Sequence, residues 1–236
     1  MGSIFLIRHG QASFGADDYD VLSPVGIRQS EALGDHLAQL GLRLDRCIAG
    51  DLRRQQDTGR LAMARLHTSG AEVPALETDP AFNEFDADAV IRALLPGLLP
   101  DEPEALHVLR NARDNRAEFQ RLFALIVQRW HGGQHDVDGL ESWAGFVKRT
   151  GDGLQRVVDQ AASGDNIAIF TSGGTIASLL HRVTGVSASQ AFELNWQIIN
   201  TSLSQLRFRG SEVTLASFNS QAHVRLLKVP ELVTYR

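Results

Sequence analysis

Apolar residues along this chain fall into two patterns that occupy different stretches. Residues 3–7, 46–49 and 166–171 are short, continuous apolar runs rich in β-branched and aromatic side chains and bounded by turn residues, the signature of strands buried on both faces. Longer segments between them repeat every three to four residues. Ser23-Pro24 reads as a helix N-cap with proline at the first helical position, followed by Leu33, Leu37 and Leu40 on one face and a stop at Gly41. Gly50-Asp51 leads into a second helix from about 52 to 66, and residues 73–76 are a third, weaker strand candidate. Strand alternating with helix predicts an α/β fold with a mostly parallel sheet covered on both faces.

The middle of the chain departs from that rhythm. From about 86 to 161 the pattern is helical with almost no strand signal, with one stripe on Phe119, Leu122, Phe123, Ile126 and Trp130. A second stripe runs through Trp143, Val147, Leu154, Val157, Val158 and Ala161. This reads as a helical insertion, or cap, within a single domain spanning 1–236, because no Pro/Ser/Gly linker, repeat or low-complexity tract separates it. After 166–171 the turn Ser172-Gly173-Gly174 opens a helix bearing Ile176, Leu179, Leu180 and Val183, and residues 201–218 read as a hairpin broken at Arg209-Gly210-Ser211.

Composition narrows the function. A length of 236 residues with 43% hydrophobic content supports a sizeable core, and a net charge of −5 argues against general nucleic-acid binding. The basic residues are nearly all arginine, whose planar fork suits bidentate phosphate contact. Cys47 is the only cysteine, which rules out an intrachain disulfide and a cysteine-based metal site and makes a cytoplasmic address the default. No apolar run approaches a membrane span.

Ligands of open α/β sheets bind beyond the carboxyl ends of the strands. Three strands here end in Arg8-His9-Gly10, in Gly50-Asp51-Leu52-Arg53-Arg54, and in Thr171-Ser172-Gly173-Gly174. Phosphoryl transfer requires cations around the transferring oxygens, a nucleophile in line and a proton donor for the leaving group. Two arginines, a histidine and glycine amides at a helix N-terminus meet the first two needs. Glu84, in Ala81-Phe82-Asn83-Glu84-Phe85, is a candidate for the third, as a carboxyl kept protonated by apolar neighbours, with Asp86, Asp79 and Glu77 as alternatives.

These residues carry a resemblance. Leu6-Ile7-Arg8-His9-Gly10-Gln11, then Leu22-Ser23-Pro24-x-Gly26-x-x-Gln29, is similar to the opening of the histidine phosphatase superfamily, the phosphoglycerate mutase-like proteins. The likeness continues through Asp51-Leu52-x-Arg54-x-x-x-Thr58 and returns at Asn200-Thr201-Ser202 and Asn219-x-x-x-His223, covering both ends of the chain and hardly the middle. It implies a three-layer α/β/α fold, no metal or other cofactor, a phosphohistidine on His9, a phosphate clamp of Arg8 and Arg54, and Glu84 as general acid and base. Gly10, Gln11, Ser172 and Gly173 are the expected substrate-binding positions. Where the family carries a second histidine this chain has Ser172, which removes a potential cation from the pocket. The glycine and tryptophan that often follow the family's acid are also missing here.

The expected activity is that of a histidine-type, acid-phosphatase-like phosphoric monoester hydrolase acting on a small phosphorylated substrate. A phosphate-ligand-binding member of the fold, weakened or silenced by Ser172, and a phosphomutase are the alternatives. Structural readings stand beside the chemical ones: Arg53 as a solvent residue, Ser172 as a helix N-cap, Glu84 as a salt-bridged carboxylate, and Tyr19, Trp130 and Trp143 as packing. The run His131-Gly-Gly-Gln-His135-Asp136-x-Asp138 is a polar loop rather than a metal site, since its glycines deny it the fixed backbone that two histidines on one helix face would have. Neither oligomeric state nor substrate identity follows from one sequence.

Overall fold

The computed structural model describes residues 1–13, 20–111 and 115–235, so Tyr19 lies outside the described residues. Six strands among them, β1 (Gly2–Arg8), β2 (Arg46–Ala49), β3 (Leu76–Thr78), β4 (Asn166–Thr171), β5 (Leu203–Arg209) and β6 (Glu212–Ser220), form one sheet in the order β3-β2-β4-β1-β5-β6. The first four are parallel, and β5 and β6 join antiparallel through the tight Gly210-Ser211 turn, where Gly210 takes φ +57°.

Each central strand divides its side chains between two cores, as the two-residue period requires. Ile4, Leu6, Ile48, Ile167, Ile169, Leu206 and Phe208 pack on one face with Ile176, Leu179 and Leu180 of helix α7 (Gly173–Thr184). Ile7, Cys47, Ala49, Ala168, Phe170 and Leu203 pack on the other with Leu33 and Leu37 of α1 (Pro24–Gln39) and Ala62 and Leu66 of α2 (Arg53–Thr68). Helices therefore flank the sheet. A fully buried Leu, Ile or Phe stabilises the fold by about 1.5–3 kcal/mol, and a one-residue slip of β4 would exchange every such side chain between faces. Register is thereby fixed, with Arg8 beside Thr171 and Ala49 beside Phe170, so that the carboxyl ends of β2, β4 and β1 stand level.

Residues Met1–Glu84 and Arg149–Arg236 form one compact unit, and Phe85–Lys148 form another. The second contains α3 (Ala87–Leu94), α4 (Ala105–Arg110) and α5 (Arg116–His131), with Leu122, Ile126 and Trp130 buried and Phe85, Trp130, Trp143 and Phe146 in mutual ring contact. The stripe read from Trp143 to Ala161 is one helix, α6 (Trp143–Gln160), whose later residues Leu154, Val157 and Val158 belong to the sheet's core.

Three elements differ from expectation. The third strand begins at Leu76 instead of 73, because Pro74 has no N–H for the ladder with β2. Leu40 lies beyond the last turn of α1, where it caps the helix and is 61% exposed. Helix α8 (Ala188–Asn195), closed by a capping box between Ser187 and Gln190, is too short to register as a periodic stretch. The last helix, α9 (Ala222–Leu226), is also short. No helix among the described residues is long and apolar enough to cross a membrane.

Helices α1 and α2 approach closely at Gly34, where a Cβ would lie 2.7 Å from Arg65 Cβ and 3.0 Å from the carbonyl carbon of Ala62. Gly34→Ala should therefore destabilise the fold by about 1–3 kcal/mol through overpacking, despite alanine's better helix propensity. A thermal midpoint lowered by several degrees is the expected reading.

Candidate active site

The chain turns inward at the tip of β1, and every backbone polar group from residue 8 to residue 11 has a partner. Arg8 N–H donates to Ser202 O at 3.3 Å and Arg8 O accepts from Thr201 N–H at 3.0 Å. His9 N–H donates to Thr171 O at 2.8 Å, and His9 O accepts from Asn200 Nδ2 at 2.9 Å. Gly10 N–H donates to Thr58 Oγ1 at 2.9 Å, and Gly10 O accepts from His9 Nδ1 at 2.7 Å. Gln11 N–H donates to Gln29 Oε1 and Gln11 O accepts from Ser23 N–H, both at 2.8 Å. The loop also interlocks with α1, since a Cβ on Gly26 would stand 2.8 Å from Gln11 N.

The His9 side chain is buried, 4% exposed. Its Nδ1–H is committed to the Gly10 carbonyl, so the neutral ring carries its lone pair on Nε2, where Arg54 Nε donates at 3.2 Å. Burial first, then the charges of Arg54 and Arg8, hold its pKa well below the usual imidazole value, with the Gly10 bond acting in the opposite direction. Arg8 donates through Nη1 to Ile198 O, and its Nε lies 3.7 Å from where a Cβ on Gly173 would stand. Arg54 is buried at the start of α2, while Arg53 is exposed and pairs with Asp57 at 3.5 Å. Asp20 accepts from Arg54 Nη1 at 2.7 Å and from Arg53 N–H at 2.8 Å, so it caps a helix whose own N-cap residue, Leu52, has no side chain for the task.

Ser172 occupies the N-cap position of α7, but its side chain makes no capping bond and is fully buried. Its Oγ accepts from Gln55 Nε2 at 2.8 Å. The Gln55 amide is oriented by the Phe82 carbonyl, which accepts its other hydrogen at 3.1 Å. The Gly174 amide at the same helix N-terminus donates to Glu84 Oε2 at 2.9 Å. Glu84 thus faces a peptide donor and a helix dipole instead of the apolar surroundings expected for it. The segment before it is held by Thr171 Oγ1 to Phe82 O at 2.6 Å, Thr175 Oγ1 to Asn83 O at 2.9 Å and the Arg149 guanidinium on three carbonyls. The alternative acids are engaged elsewhere. Glu77 pairs with Arg46 at 2.6 Å, Asp79 pairs with Arg156 at 2.9 Å, and Asp86 caps α3.

Beneath the loop, Thr201 adopts φ +62°, unusual for a β-branched residue, and its hydroxyl donates to Asn200 O at 2.7 Å. With that proton committed, Thr201 Oγ1 accepts from His223 Nε2–H at 2.9 Å, and burial, followed by neighbouring His36, lowers the His223 pKa to about 4. Asn219 also takes positive φ, accepts from Ile199 N–H at 3.0 Å and donates to Gln197 O at 2.6 Å, which holds the strip whose Ile198 carbonyl receives Arg8. Gln29, Thr58 and Asn200 stood in the recognised motifs without a role, whereas Asp20, Gln55 and Thr234 carried no signal. Among the described residues no three His, Cys, Asp or Glu side chains gather as a metal site.

Comparison with known proteins follows this geometry. Residues 4–107 and 111–221 match the family model of the histidine phosphatase superfamily (branch 1). A 2,3-bisphosphoglycerate-dependent phosphoglycerate mutase of Allorhizobium ampelinum is 24% identical over 208 residues, covering 82% of this chain and 85% of the relative. Among solved structures, phosphoglycerate mutase from Bacillus anthracis superposes with a TM-score of 0.64 at 17% identity over 97% of each chain. Phosphoserine phosphatase of Entamoeba histolytica, in complex with 3-phosphoglyceric acid, gives 0.64 at 16% identity, covering 95% of this chain and all of its own.

Two outcomes are expected from the electrostatics. His9 and His223 stay neutral in the fold, so as pH falls below about 6.5 the unfolded chain takes up protons the native state refuses, and stability drops toward pH 4. For His223 alone the loss amounts to about 3 kcal/mol, and His223→Gln should flatten the slope seen in urea denaturation between pH 7 and 4.5. Asp20→Ala removes a cap and a partly exposed ion pair and should cost about 1–2 kcal/mol. Asp20→Asn, which keeps an acceptor, should cost about half as much by thermal denaturation.

Proposed function

The chain belongs to the histidine phosphatase superfamily, and from that premise we propose that it is a metal-independent phosphomonoester hydrolase with Nε2 of His9 as nucleophile. The observation that carries this reading is the tautomer. A buried neutral imidazole, with Nδ1–H tied to Gly10 O, presents its lone pair beside a guanidinium. The bound phosphoryl group takes the Arg54 and Arg8 donors, and Arg54 Nε moves from the imidazole to a phosphate oxygen as the substrate enters.

In the first step Nε2 attacks phosphorus, the bond to the leaving oxygen breaks, and that oxygen receives a proton from Glu84. With Oε2 on the Gly174 amide, the other carboxyl oxygen carries the proton. In the second step water attacks the phosphohistidine and gives its proton to Glu84. The N–P bond breaks, inorganic phosphate leaves, and both residues return to their starting states. Because the His9 pKa is depressed, the imidazole remains unprotonated into mildly acidic solution, which supports an acid-phosphatase-like working range.

Ser172 supports a second reading. Its hydroxyl is fully buried and turned to Gln55, so the cation the family places there has no replacement in that side chain. A site with two arginines and no second imidazole suits a phosphate-binding protein with slow or absent turnover, or, less well, a phosphomutase.

Phosphate release from a panel of phosphomonoesters tests these readings together. Native turnover should be indifferent to chelator, should persist from pH 7 to 5.5, and should fall by about three orders of magnitude or more in His9→Ala. Turnover that survives the substitution would overturn the nucleophile assignment. Tight phosphate binding by the native chain with no release from any ester would favour the binding protein.

A further inference from the structure

Two buried amide side chains hold the His9 loop, and one hydroxyl bonds to both. Asn200 gives Nδ2 to His9 O, and Gln29 gives Oε1 to Gln11 N–H. Both side chains are 0% exposed, so an amide turned the wrong way finds no water to correct it. Thr234 Oγ1 donates to Asn200 Oδ1 at 2.8 Å and accepts from Gln29 Nε2 at 2.7 Å. The donation requires the Asn200 oxygen to face Thr234, which turns its NH₂ toward His9. The acceptance requires the Gln29 nitrogen to face Thr234, which turns its oxygen toward Gln11.

The strand of chain carrying this hydroxyl is itself anchored. Leu232 is buried with Ile199 and Val224, Thr234 O accepts from Asn200 N–H at 2.9 Å, and the second hydrogen of Gln29 Nε2 goes to Leu232 O at 2.9 Å. The Thr234 hydroxyl, more than 200 residues from His9 in sequence, thus faces the Asn200 amide oxygen with its proton and shares with the Leu232 carbonyl in setting the direction of Gln29.

We propose that Thr234 is a positioning residue for the reaction, acting through Asn200 and Gln29 to hold His9 so that Nδ1–H meets Gly10 O and Nε2 is left to attack. This rests on His9 being the nucleophile, the reading given above. Without the hydroxyl, Asn200 Oδ1 loses its donor and Gln29 Nε2 keeps only the Leu232 carbonyl, so both amides are held less firmly and the loop carrying the imidazole loosens.

The test uses the full chain as wild type, Thr234→Val, which keeps the shape and removes the hydroxyl, and Thr234→Ser, which restores it. With p-nitrophenyl phosphate, Thr234→Val should lower kcat by about 10- to 100-fold, the scale of a small misplacement of a reacting group. KM should change by less than about 2-fold, because Arg8 and Arg54 remain, and Thr234→Ser should recover most of the rate. In parallel, nitrogen-15 NMR of the histidine rings should show His9 as one tautomer, protonated on Nδ1, in wild type and Thr234→Ser, and as a mixture in Thr234→Val. A lower thermal midpoint in Thr234→Val with wild-type kcat and an unchanged His9 tautomer would mean a merely structural role and overturn the proposal. Should the wild type release no phosphate, that result counts against the phosphatase reading, and the tautomer comparison alone decides whether Thr234 sets the ring.

Discussion

A loop that turns inward at the tip of a buried strand has no water to satisfy its peptide groups, so each must find a partner within the protein or cost several kcal/mol. Residues 8–11 meet that demand completely, and much of the surrounding structure follows from it. The partners come from β4, from the segment before β5, from α2, from the start of α1 and from the loop preceding it. The level ends of β2, β4 and β1 bring those elements within reach, and the close approach of Gly26 to Gln11 brings α1. The same rigidity that satisfies the backbone gives His9 a single tautomer.

The electrostatics around the site are a balance between few charges. Arg8 and Arg54 supply the positive side, while Asp20 accepts from Arg54 and Glu84 from the Gly174 amide. Ser172 adds no charge and turns inward to Gln55, whose orientation is set by the Phe82 carbonyl. Ser172 is therefore part of the scaffold that ties the Phe82–Glu84 segment to the sheet, and under the proposed function Arg8 and Arg54 are left to face the phosphate between them.

What was legible in the sequence was what repeats or what stands at a strand tip. The buried strands 3–7, 46–49 and 166–171 show as apolar runs and the hairpin as polar and apolar alternation, and the Arg8-His9 and Arg54 positions show because they end or follow such runs. Pro74 was visible and should have shortened the third strand, since a missing N–H is a local fact. Asp20, Gln55 and Thr234 were not legible. Each acts through hydrogen bonds or an ion pair to residues 27 to 205 positions away, and a single polar residue in a local window has no period to reveal it. The environment of Glu84 is hidden for the same reason: Phe82 and Phe85 beside it suggest an apolar pocket, while its partner, the Gly174 amide, lies 90 residues on.

The spread of those partners along the chain bears on the order in which the protein takes shape. His9 precedes its partners in the chain: Thr58 comes first, then Thr171, then Asn200 and Thr201, and finally the segment around Thr234. None of the earlier pieces can close the loop alone, and bringing such distant segments together is the slow part of folding for proteins rich in non-local contacts. The geometry around Arg8 and His9 is therefore set only when segments distant in the chain have docked on one another.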